Sequence, residues 1–250
     1  MRDDAADVSK APARISGMFD AIAGRYDFLN HVLSAGVDRR WRRRAIASLR
    51  LTGRERVLDL CTGTADLAID AMRAHPQAAR VIGVDFAAAM LALGRRKVSA
   101  ERLAAAIALV RGDAMRIPLG DASVDAVTIA FGIRNVADVA AACREMQRVL
   151  RPGGRLAILE FSVPTMPVFR ECYMWYVRHV LPRIGRAISR HDEAYTYLQA
   201  SIEAFLTPAE FVTILRQAGF VDVRAVQLML GSVFLYEARR RPADILVLSP

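Results

Sequence analysis

Short apolar segments alternate with helical segments along the middle of the chain, and this alternation limits the possible folds more than any other feature. The candidate strands are residues 56–60, 80–84, 106–110, 124–130 and 154–160, and the candidate helices between them are 65–75, 87–102 and 137–150. Such alternation is typical of a parallel sheet covered by helices on both faces. The sequence therefore predicts an α/β fold with right-handed crossovers.

The segments outside this core predict further helices and a hairpin. Helical periodicity covers about residues 13–34 and 38–50. Near the other end, Thr207 and Glu210 form the sequence signature of a helix N-terminus, and Gly219 ends that helix. Two last candidate strands, 221–229 and 232–239, predict a closing hairpin.

Composition excludes several classes of protein. The chain has no run of 18 apolar residues and no apolar segment near its first residue, so we expect neither a transmembrane helix nor a signal peptide. Cys61, Cys143 and Cys172 form no C-x-x-C pair, which favours a reducing compartment over a disulfide framework or a zinc site. The histidines show no metal-ligand spacing, and we predict no metal. The net charge of +9 favours nucleic acid, an anionic membrane or an acidic ligand.

Polar residues follow the candidate strands, where an open α/β sheet binds its ligand. Asp59 and Gly63 follow the first strand, Asp85 follows the second, and Asp113 follows the third. Asp85 lies 22 residues after Gly63, a position from which a carboxylate can accept both hydroxyls of a ribose. Asp113 could accept from an exocyclic adenine amine. Aspartate is also a common N-cap residue, but the pair of Asp59 and Asp85 favours a nucleoside site.

The loop after the first strand, "CTGTADLAI", contains one glycine where a dinucleotide fingerprint has three. The sequence therefore gives little support to NAD. One close approach of backbone to ligand, at Gly63, suits a ligand without a pyrophosphate.

At these residues the chain resembles the class I S-adenosylmethionine methyltransferases, and in particular the ubiquinone/menaquinone biosynthesis C-methyltransferase family, of the demethylmenaquinone methyltransferase type. "VLDLCTGTADLA" resembles the first motif of the whole class. The family pattern is carried by "MFDAIAGRYDFLN" (18–30), "DRRWRR", "IPLGDASVDAVTIAFGIRNV", "RVLRPGGRLAILEFSVP" (148–164), "HVLPRIG" (179–185) and "YTYLQASIEAF" (195–205). The resemblance therefore covers nearly the whole chain.

The resemblance implies a Rossmann-like fold: a mostly parallel seven-stranded sheet, helices on both faces and a closing antiparallel hairpin. It implies methyl transfer from S-adenosylmethionine to a ring carbon of a polyprenylated quinol in menaquinone biosynthesis (demethylmenaquinol to menaquinol), ubiquinone biosynthesis or both. We divide the chain into an N-terminal helical lid (1–50), a cofactor-binding core (51–164), a helical insertion facing substrate and membrane (165–206), and a C-terminal helix and hairpin (207–240).

The resemblance also implies roles for individual residues. The expected cofactor-binding residues are Asp59, Gly63, Thr64, Asp66, Asp85, Asp113, Ala114 and Ala130, with Asp59 or Asp66 meeting the ammonium group. Arg134 and Asn135 are the expected catalytic residues, because this pair in the family is proposed to position a water that takes the hydroxyl proton. Alternatively, Arg134 only ties a loop to a helix carboxylate.

Two departures from the family pattern affect the cofactor site. The family usually has Gly-Gly-Thr-Gly-Asp where this chain has Thr62-Gly63-Thr64-Ala65-Asp66, and it usually has Ser where this chain has Ala130. We expect the backbone at Thr62 and Ala65 to avoid positive φ, and the space beside the methionine part of the cofactor to be narrower. Ala130 lacks a hydroxyl that should touch the ligand.

The insertion is expected to face the substrate and the membrane. His191, Tyr195 and Tyr197 are candidates for binding the ring, although the two tyrosines could simply straddle a helix surface. Between 165 and 190, aromatic residues alternate with arginines, a pattern that suits an anionic membrane interface. A lid helix with solvated arginines is the alternative. We expect a cytoplasmic protein peripherally associated with the inner face of the membrane.

Other functions remain open at this stage. A nucleic-acid methyltransferase would suit the charge, but the fourth strand leads into "FGIRNV" without the Pro-Pro signature of that class, so we expect no nucleic-acid partner. A methyltransferase for another small apolar molecule, or a non-catalytic membrane-associated assembly factor, would also fit the fold. The sequence leaves the oligomeric state open, a homo-oligomer included.

Overall fold

The computed structural model describes residues 17, 34, 36–75, 80–180, 183 and 192–243, with only the backbone for 192–196. The helix predicted over 13–34 lies almost entirely outside this part of the chain. His191 and most of the segment from 181 to 190 also lie outside it.

Helices and strands alternate as predicted in the described part of the chain. The helices are α1 (Asp38–Ser48), α2 (Asp66–Ala74), α3 (Ala88–Ala100), α4 (Val139–Val149), α5 (Pro167–Trp175), α6 (Asp192–Glu203) and α7 (Pro208–Gln217). The strands are β1 (Val57–Leu60), β2 (Val81–Asp85), β3 (Ile107–Arg111), β4 (Val124–Ala130), β5 (Leu150–Phe161), β6 (Phe220–Leu228) and β7 (Val233–Arg240). Short helical turns follow β4 (Ile133–Asn135), α5 (Tyr176–Val180) and β6 (Met229–Gly231).

The seven strands form one sheet in the order β3-β2-β1-β4-β5-β7-β6. Strands β1 to β5 are parallel, whereas β7 runs antiparallel to both β5 and β6. The predicted fold class is therefore confirmed, closing hairpin included. Because the strand order reverses beside β1, a crevice forms at the carboxyl ends of β1 and β4. Among the described helices, none has both the length and the apolar character needed to cross a bilayer.

Helices cover both faces of the sheet. On one face, Trp41 and Ile46 of α1 pack with Leu67 and Met72 of α2. On the other face, the core is formed by α4 and α7 with the sheet residues beneath them, including Met146, Phe211, Leu215 and Tyr236. The burial of all four residues of β1 follows from this double cover, which explains why the segment reads as an uninterrupted apolar run apart from Asp59.

Two local predictions about the later segments have different outcomes. The Thr207 hydroxyl accepts from the Glu210 amide while the Glu210 carboxylate accepts from the Thr207 amide, so the predicted helix start is confirmed. The strand predicted over 154–160 begins earlier, at Leu150, and "RPGGR" forms an irregularity within β5. The pairing with β4 shifts register there, and Gly153 absorbs the shift at a φ of +77°.

Candidate active site

A cleft opens at the carboxyl ends of β1, β2 and β4, and its larger half has about 790 Å³ of empty space including the open mouth. Its walls are largely apolar and include Val84, Phe86, Met90 and Met115. Six residues that the sequence singled out also line it: Gly63, Asp85, Asp113, Ala114, Ala130 and Asn135. The structure therefore gathers at one edge of the sheet side chains that are more than 70 positions apart in sequence (Gly63 to Asn135).

The smaller half of the cleft holds about 450 Å³ and is polar. It shares Cys61, Gly63, Ala130 and Phe131 with the larger half, so the two halves are continuous. The remaining lining residues are Arg42, Asp59, Thr62, Thr64, Asp66 and Leu67. A long ligand with an apolar ring system at one end and charged groups at the other would fit this division.

Asp85 ends β2 and is 7% exposed, with its carboxylate in the larger half. One oxygen accepts from the Gly63 amide at 2.8 Å and the other accepts from the Ala87 amide at 2.9 Å, just before α3. Asp85 thus fixes the first loop and the segment that leads into α3 while lining the cleft, but it does not cap the helix, whose N-cap residue is Ala87. Each carboxylate oxygen can accept more than one hydrogen bond, so these roles are compatible with binding a ribose.

Asp113 and Ala114 follow β3 and line the same half of the cleft. Asp113 is exposed and accepts from the Met115 amide at 2.8 Å, which holds the loop in place. Ala114 is buried against the core. The role of Asp113 in binding an exocyclic amine stays a prediction.

Asp59 lies at the floor of the smaller half and is 1% exposed. Its oxygens accept from the hydroxyls of Thr62 at 2.5 Å and Thr128 at 2.9 Å. Burial raises the pKa of Asp59 to about 7, and the nearby charge of Asp85 acts in the same direction. The two hydroxyls and the Ala68 amide, at the first turn of α2, partly oppose this rise. Thr62, a departure from the family pattern, therefore supplies a hydrogen bond to a buried carboxyl group.

Asp59 should make stability depend on pH. Its folded pKa of about 7 lies above the unfolded value of about 3.9, so its contribution is largest below pH ~4 and is lost as the pH rises toward 7. The comparison is the free energy of unfolding of wild type minus that of Asp59→Asn. This difference is expected to fall by up to about 1.4 kcal/mol for each unit of rising pH in this window. Urea unfolding of both proteins from pH 4 to 8 measures the difference, and a constant difference would contradict the assignment.

The first loop contains three left-handed residues, Cys61 (φ +55°), Gly63 (φ +55°) and Ala65 (φ +69°). The expectation for Thr62 agrees with the structure, but the expectation that Ala65 avoids positive φ is wrong. Asp85 holds the Gly63 amide, and the Ala65 amide donates to the Thr62 carbonyl at 2.9 Å, so the loop keeps its path at the expense of strain at Ala65. A left-handed alanine costs about 1–2 kcal/mol.

Replacing Ala65 with glycine should therefore leave stability nearly unchanged. Relief of about 1–2 kcal/mol of strain offsets the added backbone entropy of about 0.5–1 kcal/mol and the lost methyl of about 0.8 kcal/mol. Ala68→Gly, a matched change at a buried position inside α2, should lose about 2 kcal/mol. Denaturant midpoints test this pair, and equal losses in the two variants would show that Ala65 carries no strain.

Asp66 and Thr64 contact Lys97 at the rim of the smaller half. Lys97 pairs with the Asp66 carboxylate and donates to the Thr64 hydroxyl at 3.1 Å. Asp66 also lies 3.8 Å from Arg42. Of the two residues expected to meet an ammonium group, Asp66 is therefore already balanced by cations, whereas Asp59 contacts only neutral hydroxyl and amide donors among its described hydrogen bonds.

Cys61 faces both halves of the cleft, and burial raises the pKa of its thiol well above the ordinary value. A protonated thiol is a poor nucleophile. Cys61 is therefore better described as a small apolar residue at the strand end than as a nucleophile.

Arg134 is 4% exposed and lies beneath the cleft, outside the set of lining residues. Its Nη1 donates to the Glu160 carboxylate at 2.8 Å and to the Phe131 carbonyl at 2.5 Å, and its Nε donates to the Ser201 hydroxyl at 3.3 Å. The structural alternative named a helix carboxylate as its partner, but the carboxylate lies on strand β5. This geometry fits a residue that positions its neighbours, and direct participation in catalysis stays a prediction.

Asn135 lines the cleft, and its side-chain oxygen accepts from the Tyr197 hydroxyl at 3.1 Å. Tyr197 is 7% exposed on α6, so the insertion touches the edge of the cleft through this bond. Tyr195 lies on the same helix, but its side chain is outside the described part of the chain, as is all of His191. The structure therefore brings together Asn135 and Tyr197 and is silent on the other two substrate candidates.

Comparison with known proteins decides the family. The sequence profile of the ubiE/COQ5 methyltransferase family matches residues 7–239. The chain belongs to this family. It is 45% identical over 229 residues to the ubiquinone/menaquinone biosynthesis C-methyltransferase UbiE of Geobacter sp. (strain M21), with 92% of this chain and 97% of that protein covered. It is 46% identical over 226 residues to the demethylmenaquinone methyltransferase of Deinococcus radiodurans, with 90% and 92% covered.

Solved structures share the fold of this ubiE/COQ5 family member. The cyclase SpnF superposes with a TM-score of 0.67 at 15% identity, covering 92% of this chain and 96% of that chain. A methyltransferase of Thermotoga maritima, titled a possible histamine N-methyltransferase, gives 0.60 at 18% identity, covering 90% and 99%. At these identities the likeness concerns the fold alone.

As a ubiE/COQ5 family member, the chain is an S-adenosylmethionine-dependent methyltransferase. The residues of the cleft fit that cofactor. Val84, Phe86 and Met90 offer flat apolar contact for an adenine in the larger half, where Asp85 can accept from the ribose. The smaller half offers charged groups for the amino acid end. Gly63, at a φ of +55°, allows the close backbone approach expected of it.

Sequence reasoning about this methyltransferase missed Glu160. It lies in the "LEFS" motif at the end of β5, is fully buried, and pairs with Arg134. Its second oxygen accepts from the Arg134 amide at 3.1 Å. A charged residue inside the apolar segment "LAILEF" was the available signal, because a buried carboxylate requires a partner.

Proposed function

We propose that this methyltransferase adds a methyl group to a ring carbon of a polyprenylated quinol, in menaquinone biosynthesis, ubiquinone biosynthesis or both. The observation that carries the proposal is an aromatic wall beside the cleft. Phe131 lines both halves, stacks on Phe161 at a centroid distance of 4.5 Å and meets Trp41 edge-on at 6.1 Å. Such a wall suits a flat ring. The relatives named ubiquinone/menaquinone biosynthesis C-methyltransferase and demethylmenaquinone methyltransferase support the same substrate class.

Carbon methylation needs an electron-rich ring carbon. When bound, the cofactor supplies a methyl group on a sulfonium. Loss of a hydroxyl proton from the quinol raises the electron density at the neighbouring ring carbon, which takes the methyl and then loses its own hydrogen as a proton. The protein must accept or relay the first proton and hold the ring in line. Positioning contributes up to about 7–11 kcal/mol, and a base adds about 10²–10⁴-fold.

Asn135 and Arg134 would perform these tasks from the short turn after β4. Asn135 reaches the cleft, where its amide can hold a water or the quinol hydroxyl, and Tyr197 fixes its orientation. Arg134 anchors this turn to Glu160 and Ser201. Because the Glu160 carboxylate balances the charge of Arg134, this arginine would serve the reaction by holding the turn in place.

The direct test is methyl transfer by the purified protein. Demethylmenaquinol and the corresponding benzoquinol precursor, each with a short prenyl tail, are incubated with S-adenosylmethionine and analysed by mass spectrometry. We expect one ring methyl added per S-adenosylhomocysteine formed on at least one quinol, and none on transfer RNA. A protein that binds the cofactor but methylates neither quinol would refute the proposed substrate class.

We also propose that the protein works on the cytoplasmic side of the membrane as a peripheral protein. Five large apolar side chains are at least half exposed: Met166, Val168, Trp175, Met229 and Leu230. Val168 and Trp175 lie on α5, Met166 directly precedes it, and Met229 and Leu230 lie on the turn between β6 and β7. The segment that leads into α5 meets the end of this turn, since the Ser162 amide donates to the Ser232 carbonyl at 3.0 Å. Exposed apolar residues at one edge, flanked by Arg170 and Arg178, suit an anionic interface.

The protein is expected to sediment with anionic vesicles at low salt and to be released at high salt. Each arginine near the surface contributes about 1 kcal/mol, screened over about 8–10 Å. Changing Arg178, Arg183 and Arg186 to Gln, or Met229 and Leu230 to Ser, should reduce binding. Val110→Ser is the control, because Val110 is an exposed apolar residue on β3, at the far edge of the sheet. Equal sedimentation with neutral and anionic vesicles would contradict the proposal.

A further inference from the structure

Arg42 enters the cleft from a helix that the cofactor motifs do not include. It lies on α1, is 9% exposed, and lines the smaller half beside Asp59, Thr62 and Thr64. Among the described residues that line this half, Arg42 is the only one with a positively charged side chain. The neighbouring arginines on the same helix, Arg43 and Arg44, are exposed to solvent.

Two contacts fix the orientation of the Arg42 guanidinium. Its Nη1 donates to Asp38 at 2.5 Å within α1, and its Nε donates to Asp70 of α2 at 2.8 Å. Its Nη2 lies 3.8 Å from Asp66, which is beyond hydrogen-bond distance. The side chain is therefore held rigidly on two nitrogens, while the described contacts give the third nitrogen no hydrogen bond.

We propose that Arg42 binds the carboxylate of the amino acid end of S-adenosylmethionine through Nη2. A guanidinium stays charged at any working pH, and a charged donor makes the stronger class of hydrogen bond with a carboxylate. Asp38 and Asp70 hold the guanidinium in place before the ligand arrives, which reduces the ordering that binding requires. The same half holds Asp59 and Thr62, so both charges of an amino acid group find complementary partners there.

The competing explanation is that Arg42 only ties α1 to α2. The two roles make different predictions for ligands that differ at one group. A structural tie supports the cleft as a whole, so its loss weakens every ligand alike. A carboxylate-binding residue distinguishes S-adenosylmethionine from decarboxylated S-adenosylmethionine, which keeps the adenosine, the sulfonium and the ammonium.

The experiment is calorimetric titration of both compounds into wild type, Arg42→Gln and Arg44→Gln. Wild type is expected to bind S-adenosylmethionine at least about tenfold more tightly than the decarboxylated form, and Arg42→Gln is expected to bring that ratio close to one. Arg44→Gln makes the same change of charge on the same helix and should keep the wild-type ratio. Arg42→Met, which keeps the aliphatic part of the side chain but carries no charge, serves if the glutamine variant does not fold.

Two results would overturn the proposal. In one, either Arg42 variant folds and retains the wild-type ratio of affinities. In the other, wild type itself binds the two compounds equally. The proposal rests on the cofactor and not on the quinol, so failure to methylate a quinol would leave these titrations interpretable.

Discussion

Arg134→Ala is expected to lower the free energy of unfolding by about 3–5 kcal/mol, because it leaves the buried Glu160 carboxylate with backbone amide donors but without its arginine partner. We also expect turnover to fall far more than the affinity for S-adenosylmethionine, since Arg134 lies outside the lining of the cleft and acts on the turn that carries Asn135. Thermal unfolding, titration of the cofactor and initial rates on a short-tailed quinol measure the three quantities.

A double variant separates stability from catalysis. Replacing Arg134 with Met and Glu160 with Leu removes both buried charges, and most of the lost stability is expected to return. If Arg134 serves the reaction, turnover stays low in this stable double variant. Recovery of turnover together with stability would show that the pair is purely structural, and equal losses in turnover and cofactor affinity would place Arg134 in the cofactor site.

Asp85→Ala is expected to weaken the binding of S-adenosylmethionine more than tenfold. The carboxylate lines the larger half of the cleft and also holds the Gly63 and Ala87 amides, so the change removes a ribose acceptor and loosens the first loop. 5′-Methylthioadenosine, which retains the ribose but lacks the amino acid end, should lose affinity to a similar degree. A loss of affinity for both ligands distinguishes Asp85 from Arg42, which is proposed to contact only the amino acid end.

Asp121→Ala provides the control for this titration, because it removes a carboxylate that is 79% exposed and lies outside the cleft. Its affinity for both ligands should match that of wild type. Unchanged binding in Asp85→Ala would refute the ribose assignment.

Much of the cleft could be predicted because its residues occupy the ends of strands. In a parallel sheet, strand ends meet at one edge, so the positions of Asp59, Asp85 and Asp113 along the chain were enough to expect them together. The glycine-poor loop was also informative. Its only glycine, Gly63, is one of the residues with a left-handed backbone conformation. Family motifs added the residues of the turn after β4.

The features that escaped prediction depend on tertiary contacts. Arg134, in the turn after β4, pairs with Glu160 on β5, and nothing local at either residue specifies the other. The strained φ of Ala65 results from hydrogen bonds that hold the loop, which override the preference of alanine. The raised pKa of Asp59 follows from complete burial, and Arg42 reaches the cleft only because α1 packs on α2.

Mass spectrometry of cellular quinones, with and without the gene for this protein, tests the central claim most directly. Loss of the protein should remove a ring methyl from the mature quinone and cause the corresponding demethyl quinone to accumulate. Wild type should restore the methylated quinone, whereas Asp85→Ala, produced at the same level, should restore much less. An unchanged quinone profile in cells without the protein, provided that no second methyltransferase of this family is present, would contradict the account.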